Sequence, residues 1–468
     1  MSPYNARPLA DPDPNVGVFA ISQAVDFLAL HAANPARYPC LLESVAVGGR
    51  SARFDVLFAS SGEYLLLDAE GGLHGPAAPS GVDFLDALSD WIASTRRAEA
   101  DADATGELPF LGGFVLALGY ELAALIEPSL RLPAARLAVP RALALRSPVA
   151  LIRDRARAQV FLVSEPAYAE LAAEVQADLD VPIARVPAQT PGIAASEEDP
   201  ERFLRGVAQV IEHIAAGDVF QVNLSRCWRA AWPESMSIPA LYAALCRENP
   251  APFAGLLRWG DFALLSSSPE RLVKVEGSVV ETRPIAGTRA RVELGSDDPR
   301  RRDLIAHPKE RAEHIMLIDL ERNDLGRVCV PGSIEVDEMM SIESYAHVHH
   351  IVSNVRGHLR AGVGPVEVIR AVFPGGTITG CPKLRCMQII AALEGEGRGF
   401  YTGALGFVDI DGRLDLNILI RSLSVLGGEL EFRAGAGIVA DSNAEFELAE
   451  TRAKARGLLA ALQAEPAR

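Results

Sequence analysis

The chain has 468 residues, 49% of them apolar and 23% charged, with a formal net charge of −16. This length is enough for roughly two to four domains, and the apolar share excludes a disordered scaffold. The acidic balance excludes nucleic acid and anionic membrane as natural partners, so any anionic substrate would need cations placed locally. No basic segment leading into an apolar core marks the start MSPYNARPLADPDP, and no run reaches the ~18 apolar residues of a membrane span. The six cysteines are scattered without a CxxC pair and read as buried thiols of a reducing compartment. A soluble cytoplasmic protein is expected.

Residues 1–183 form an N-terminal region of short apolar runs and helices. Arg53–Ala59 and Glu63–Leu67 predict strands, and Phe84–Ile92 places its apolar residues on one helical face. The stretch 184–200, rich in Pro, Ala and small polar residues, is expected to connect this region to a second one, 201–465. Asp199-Pro200 supplies a cap and a first-turn proline for a helix whose apolar face is Phe203, Val207, Val210, Ile211 and Ile214, ended by Gly217. Strands are expected at Val219–Leu224, Phe262–Ser266, Leu272–Val275 and Val279–Thr282, then a helix from about Pro308. Strands Gly403–Asp409, Asp415–Leu426 and Glu429–Ala434 follow, with a last helix from about Asn443. Turn pairs Asp411-Gly412 and Gly427-Gly428 favour antiparallel hairpins. The fold class is therefore an α+β sandwich rather than a doubly wound parallel sheet.

Five segments carry chemistry-bearing residues. Glu310 and Glu313, and Glu447 and Glu450, are spaced i, i+3, which puts each pair on one helical face. Spacing alone fits solvated faces as well as a divalent-cation site, and magnesium would take only one or two such carboxylates directly. His347, His349 and His350 lie on an expected strand, where neighbours alternate between faces, so a single imidazole contact is favoured over a metal cluster. In FPGGTITGCPK, Cys381-Pro382 follows Gly380 where a nucleotide loop needs Lys and Ser or Thr; a turn offering backbone amides and the Thr377 hydroxyl to an oxyanion fits better. Gly435–Ala440 spells GxGxxA, but no helix opens within it, so a dinucleotide site is not expected.

Long strings in fixed order, GDVFQVNLSR, SSSPERLV, TRPIAGTRAR, MLIDLERNDLGRV, HVHHIVS, FPGGTITGCPKLRCMQII, YTGALGF and AGAGIVADS, resemble the chorismate-utilising family of anthranilate, aminodeoxychorismate, isochorismate and salicylate synthases. The match runs from about Pro200 to Leu462 and more loosely from Leu41 to Pro133. The resemblance implies two large packed antiparallel sheets with helices outside. It implies magnesium held by Glu310, Glu313, Glu447 and Glu450. Substrate carboxylates would meet Tyr401, Arg421, Gly437 and Lys454, with Thr377 in the Gly-rich turn. Glu270 would protonate the leaving C4 hydroxyl, and His350 matches the active-site histidine.

Family members that add water carry a lysine base where this chain has Gln221, so ammonia is the expected nucleophile. Asn223, PGGTITGCPK and ARFDVLFA resemble aminodeoxychorismate synthases, which points to amination at C4; the alternative is C2 amination, as in anthranilate synthases. Ala286 stands where some C4-aminating relatives have a nucleophilic lysine. No glutamine-amidotransferase elbow is present, so a separate amidotransferase subunit is the expected ammonia source. Leu41-Leu42-Glu43-Ser44 resembles a tryptophan-binding segment of the family, which makes Ser44 a candidate tryptophan contact.

Overall fold

The computed structural model describes residues 16–46, 53–76, 78–79, 81–95, 108–188, 192–290, 304, 308–344 and 348–463. His347 lies outside these, as do the side-chain surroundings of Ala286 and His349.

Two antiparallel sheets, of 12 and 11 strands among the described residues, form the frame. Strands from before and after residues 184–200 share both of them. In the larger sheet Cys40–Glu43 pairs with Phe253–Trp259, and in the smaller Gly113–Leu118 pairs with Ala404–Asp409. One apolar layer, including Phe58, Phe110, Val115, Phe161, Leu257, Leu264 and Phe407, fills the space between the sheets. Alternation along each strand sends the next residue outward. Leu256 and Leu265 thus join a second core under the helices Ile238–Glu248 and Ala444–Leu462, while Leu116 and Leu416 join a third with the helices Phe84–Thr95 and Pro365–Val372. This is the expected α+β sandwich.

Local signals read from the sequence act as their chemistry requires. The Asp199 side chain accepts from the Glu201 amide at the head of helix Pro200–Ala215, whose Phe203, Val207 and Val210 are buried. Gly427 and Gly428 both adopt positive φ (59° and 80°), which the tight turn joining Ser422–Leu426 to Glu429–Ile438 requires.

One expected element is different. Asp415–Leu426 is not one strand but two, Leu414–Ile418 in the smaller sheet and Ser422–Leu426 in the larger. The chain crosses from sheet to sheet through Leu419, Ile420 and Arg421, and Arg421 takes a left-handed φ of 53°. A second crossing lies beside it: Phe262–Ser268 belongs to the larger sheet and Arg271–Glu276 to the smaller, with Pro269 and Glu270 between. The two crossings are bonded to each other. Ser267 N–H donates to the Arg421 carbonyl (3.1 Å), Ile418 N–H to the Glu270 carbonyl (3.0 Å), and Ser268 Oγ to the Ile418 carbonyl (2.5 Å).

Candidate active site

Glu270 and Arg421 therefore enter the site from a matched pair of sheet crossings. Glu270 is 6% exposed, and burial pushes its carboxyl up to about 7. The Thr377 hydroxyl, the Ile285 backbone and the charges of Lys454 and Arg421 lower it, but less than burial raises it. Thr377 Oγ1 stands beside the carboxyl without a well-formed hydrogen bond; it and Glu270 Oε1 are both buried with no such partner among the described residues. A carboxyl that keeps its proton to neutral pH is what a general acid needs.

Burial pulls Arg421 below the usual guanidinium value, Glu270 opposing the shift. No hydrogen bond or ion pair holds its guanidinium among the described residues, whereas Arg398 and Arg433 are both paired with Glu394. A half-buried cation held in strained backbone with no hydrogen-bond partner among the described residues is prepared for an anion.

The floor is formed by strands Gln221–Ala231 and Glu429–Ile438, which place Asn223 opposite Gly437 and Ser225 opposite Gly435. The GxGxxA glycines serve space, not phosphate. A methyl at Gly435 would stand 2.8 Å from Tyr401 Oη, and one at Gly437 only 2.3 Å from Gln221 Nε2. Burial pushes the Tyr401 phenol up to about 12, so it acts as a neutral donor. Gln221 Nε2 donates to Glu313 Oε1 (3.1 Å), leaving Gln221 Oε1 buried without a partner among the described residues.

Glu310 and Glu313 lie on helix Pro308–Gly326, and Glu447 and Glu450 on Ala444–Leu462. Burial raises Glu313, and the charges of Glu310 and Glu450 raise it further, so these three carboxylates repel one another at close range. Glu447 is buried and accepts from Ser442 Oγ (2.7 Å), while Glu450 pairs with Lys454 Nζ (2.8 Å), which also donates to the Gly435 carbonyl (3.0 Å). Among the described residues, no three His, Cys, Asp or Glu side chains enclose a point where an ion could sit. Oxygen donors that repel one another nonetheless fit a hard divalent cation that keeps most of its waters.

His350 is 2% exposed, in register with Thr288 on the neighbouring strand. Gly287 next to it lies against the metal candidates: a methyl there would meet Glu310 Oε2 at 2.7 Å. Ser44 is not part of this site. It is buried, its amide donates to Asp55 Oδ1 (3.1 Å), and its Oγ has no hydrogen-bond partner among the described residues. Just before it, at the end of strand Cys40–Glu43, Glu43 lines a cavity of about 810 Å³ with Arg153, Arg155 and Tyr242.

One group of residues was not anticipated. Glu394 receives Arg398 Nη2 (2.6 Å), Arg433 Nη2 (3.2 Å) and Ser225 Oγ (2.9 Å), all buried. Arg398 then donates to the Asn223 carbonyl (2.7 Å) and the Ile378 carbonyl (3.3 Å), and its guanidinium lies 5.0 Å from the Tyr120 ring and 5.5 Å from that of Tyr401. Asn223 Nδ2 donates to the Thr377 carbonyl (3.0 Å). The network fixes the Gly-rich turn relative to the floor. Its one sequence signal is the i, i+4 spacing of Glu394 and Arg398.

A buried acid, an unpartnered guanidinium and clustered carboxylates at the seam of two sheets define an enzyme site for a small anion. The chain belongs to the chorismate binding enzymes, a family that matches residues 67–460, and is thus an enzyme acting on chorismate. It is 39% identical over 446 residues to anthranilate synthase component 1 of Streptomyces coelicolor, covering 90% of this chain and 83% of that one. It is 46% identical over 276 residues to aminodeoxychorismate synthase component 1 of Bacillus subtilis, covering 59% and 58%. Among solved structures, anthranilate synthase component I from Streptococcus pneumoniae superposes with a TM-score of 0.78 at 28% identity, covering 88% of this chain and 93% of that one. The menaquinone-specific isochorismate synthase of Escherichia coli shares the fold, with a TM-score of 0.73 at 20% identity over 98% of this chain and 96% of that one. Among the described residues no helix is long and apolar enough to cross a membrane.

Proposed function

We propose that the chain aminates chorismate at C4, giving 4-amino-4-deoxychorismate, with ammonia from a separate glutamine amidotransferase. The observation that carries the choice of nucleophile is Gln221. Its amide is committed to Glu313, and an amide cannot deprotonate water, whereas ammonia needs no base. Burial raises all six cysteine thiols, the reverse of an activated nucleophile, which supports a partner subunit for glutamine hydrolysis.

In this reading Arg421 grips one substrate carboxylate in a fork, Tyr401 donates from the floor, and Lys454 adds a point charge at the rim. Glu270 gives its proton to the C4 hydroxyl as the C–O bond breaks and water leaves; ammonia forms the new C–N bond and then gives up one proton, so that NH3 is exchanged for H2O. Glu310, Glu313, Glu447 and Glu450 would hold magnesium, directly or through water. When bound, the ion would neutralise the ring carboxylate and the charge developing at the leaving group. Thr377 and His350 complete the walls. Tryptophan at Ser44 is a further proposal, tested by equilibrium dialysis against Ser44→Ala.

The strings around Asn223 and the Gly-rich turn favour C4; Ala286 favours the second reading, anthranilate formation by C2 amination. Chorismate, magnesium and ammonium with the purified chain are expected to yield a product that an added lyase converts to 4-aminobenzoate. Fluorescent anthranilate as the main product would replace the first reading by the second.

Excess chelator is expected to abolish turnover reversibly, and Glu313→Gln to weaken calorimetric magnesium binding about 10-fold or more without lowering the melting temperature. Relief of the carboxylate repulsion supports the second expectation. Turnover undiminished in chelator would remove magnesium from the scheme.

A further inference from the structure

The floor strand Gln221–Ala231 meets the Gly-rich turn at three successive carbonyls. Asn223 N–H donates to the Thr379 carbonyl (2.9 Å). Arg398 Nη1 donates to the Ile378 carbonyl (3.3 Å), while its Nη2 holds the carbonyl of Asn223 (2.7 Å). The Thr377 carbonyl is reached by the Asn223 side chain, whose Nδ2 donates to it (3.0 Å). Two of these links thus run through a backbone amide and Arg398, and the third through a carboxamide.

That third bond fixes which way the carboxamide faces. A carbonyl only accepts, so the nitrogen lies against Thr377 and the oxygen turns away from it. A methyl at Gly435 would stand 3.1 Å from Asn223 Oδ1 and 2.8 Å from Tyr401 Oη, so the two oxygens edge one gap. Asn223 sits opposite Gly437 in the ladder, on the face from which Gln221 reaches Glu313. Its side chain therefore fills the floor between the Thr377 turn and the Tyr401 phenol.

We propose that Asn223 is a positioning residue for the amination: its carboxamide sets where the Thr377 hydroxyl stands toward the substrate. The inference rests on the place given to Thr377 in the site above. Thr377 is the middle residue of the short turn Gly376–Ile378, and a shift of its peptide carries the hydroxyl with it. Without the carboxamide the turn stays docked, because the links at Thr379 and Ile378 remain. Thr379 Oγ1 also closes the turn on itself through the carbonyls of Gly375 (2.9 Å) and Gly376 (3.2 Å). What is lost is the restraint on the one peptide that bears the Thr377 hydroxyl. A misplacement on the order of 1 Å is enough to cost about 10²-fold in rate.

The test is a double-mutant cycle on kcat/KM for chorismate, with ammonium as nitrogen source and total chorismate consumed as the readout. Its members are wild type, Asn223→Leu, Thr377→Ala and the two combined. Leucine keeps bulk between Thr377 and Tyr401 and removes the donor; Asn223→Ala serves if the leucine variant does not fold. Asn223→Leu is expected to lose roughly 10- to 100-fold. Its melting temperature should stay within a few degrees of wild type, since one part-buried hydrogen bond contributes little net stability. Calorimetric magnesium binding should not change, because the four glutamates stand on other elements. The double variant is expected to fall no further than the worse single variant, within about threefold, as for two residues acting through one contact. A general loosening of the floor would instead lower the melting temperature and multiply the two losses, and that result would overturn the proposal. If Thr377→Ala is as active as wild type, the place given to Thr377 fails and the proposal with it. If Thr377→Ala is impaired while Asn223→Leu and Asn223→Ala are not, only the role of Asn223 fails.

Discussion

Replacing Glu270 by glutamine is expected to lower kcat for chorismate by about 10²- to 10⁴-fold, the usual contribution of a positioned general acid. The amide has nearly the same shape and cannot hand a proton to the C4 hydroxyl. The hydrogen bonds of this crossing run through the backbone and Ser268, so the fold and KM are expected to change little. The pH dependence gives the sign. Burial pushes the acid up to about 7; its protonated, active form dominates below that value, so wild-type kcat should fall as pH rises through it. The residual activity of the variant should show no such fall. Steady-state rates across neutral pH decide the matter, and a variant within a few fold of wild type would remove Glu270 from the chemistry.

Arg421→Gly is expected to separate stability from function. Losing one partner of a buried charge pair costs about 2–5 kcal/mol of binding, so kcat/KM should drop by roughly 30- to 4,000-fold. The fold, however, gains. The substitution removes a half-buried cation that no described residue hydrogen-bonds, and glycine is at ease at a φ of 53° where arginine is strained. Glycine's extra freedom in the unfolded chain offsets part of this, so the melting temperature is expected to equal or exceed that of wild type. Arg421→Lys keeps the charge and loses the fork, and should fall between wild type and glycine in kcat/KM. A lower melting temperature together with unchanged kcat/KM for the glycine variant would show Arg421 to be a structural cation.

Much of the frame was legible because its signals are local. Asp199-Pro200 caps a helix by chemistry contained within three residues, and paired glycines specify a tight turn wherever they stand between strands. The break at Leu419–Arg421 was not legible, because Leu414–Leu426 is apolar at nearly every second position and contains no Gly or Pro. What divides it is the second sheet, which draws Ser422 onward into its own ladder beside Ser266. Paired glutamates could be read as helix neighbours, but their repulsion across two helices depends on a juxtaposition some 140 residues apart in sequence.

The paired crossings also bear on how the molecule acquires activity. Ser267 and Ile418 are about 150 residues apart in sequence, yet the bonds that set acid and guanidinium side by side join just these neighbourhoods. Such contacts form late, since closing so long a loop costs entropy before any bond compensates it. A partly folded chain holding one sheet, or both sheets before they dock, would contain every catalytic side chain and no catalyst. During refolding, turnover should therefore return with the slowest structural phase, after the circular dichroism of the strands has recovered.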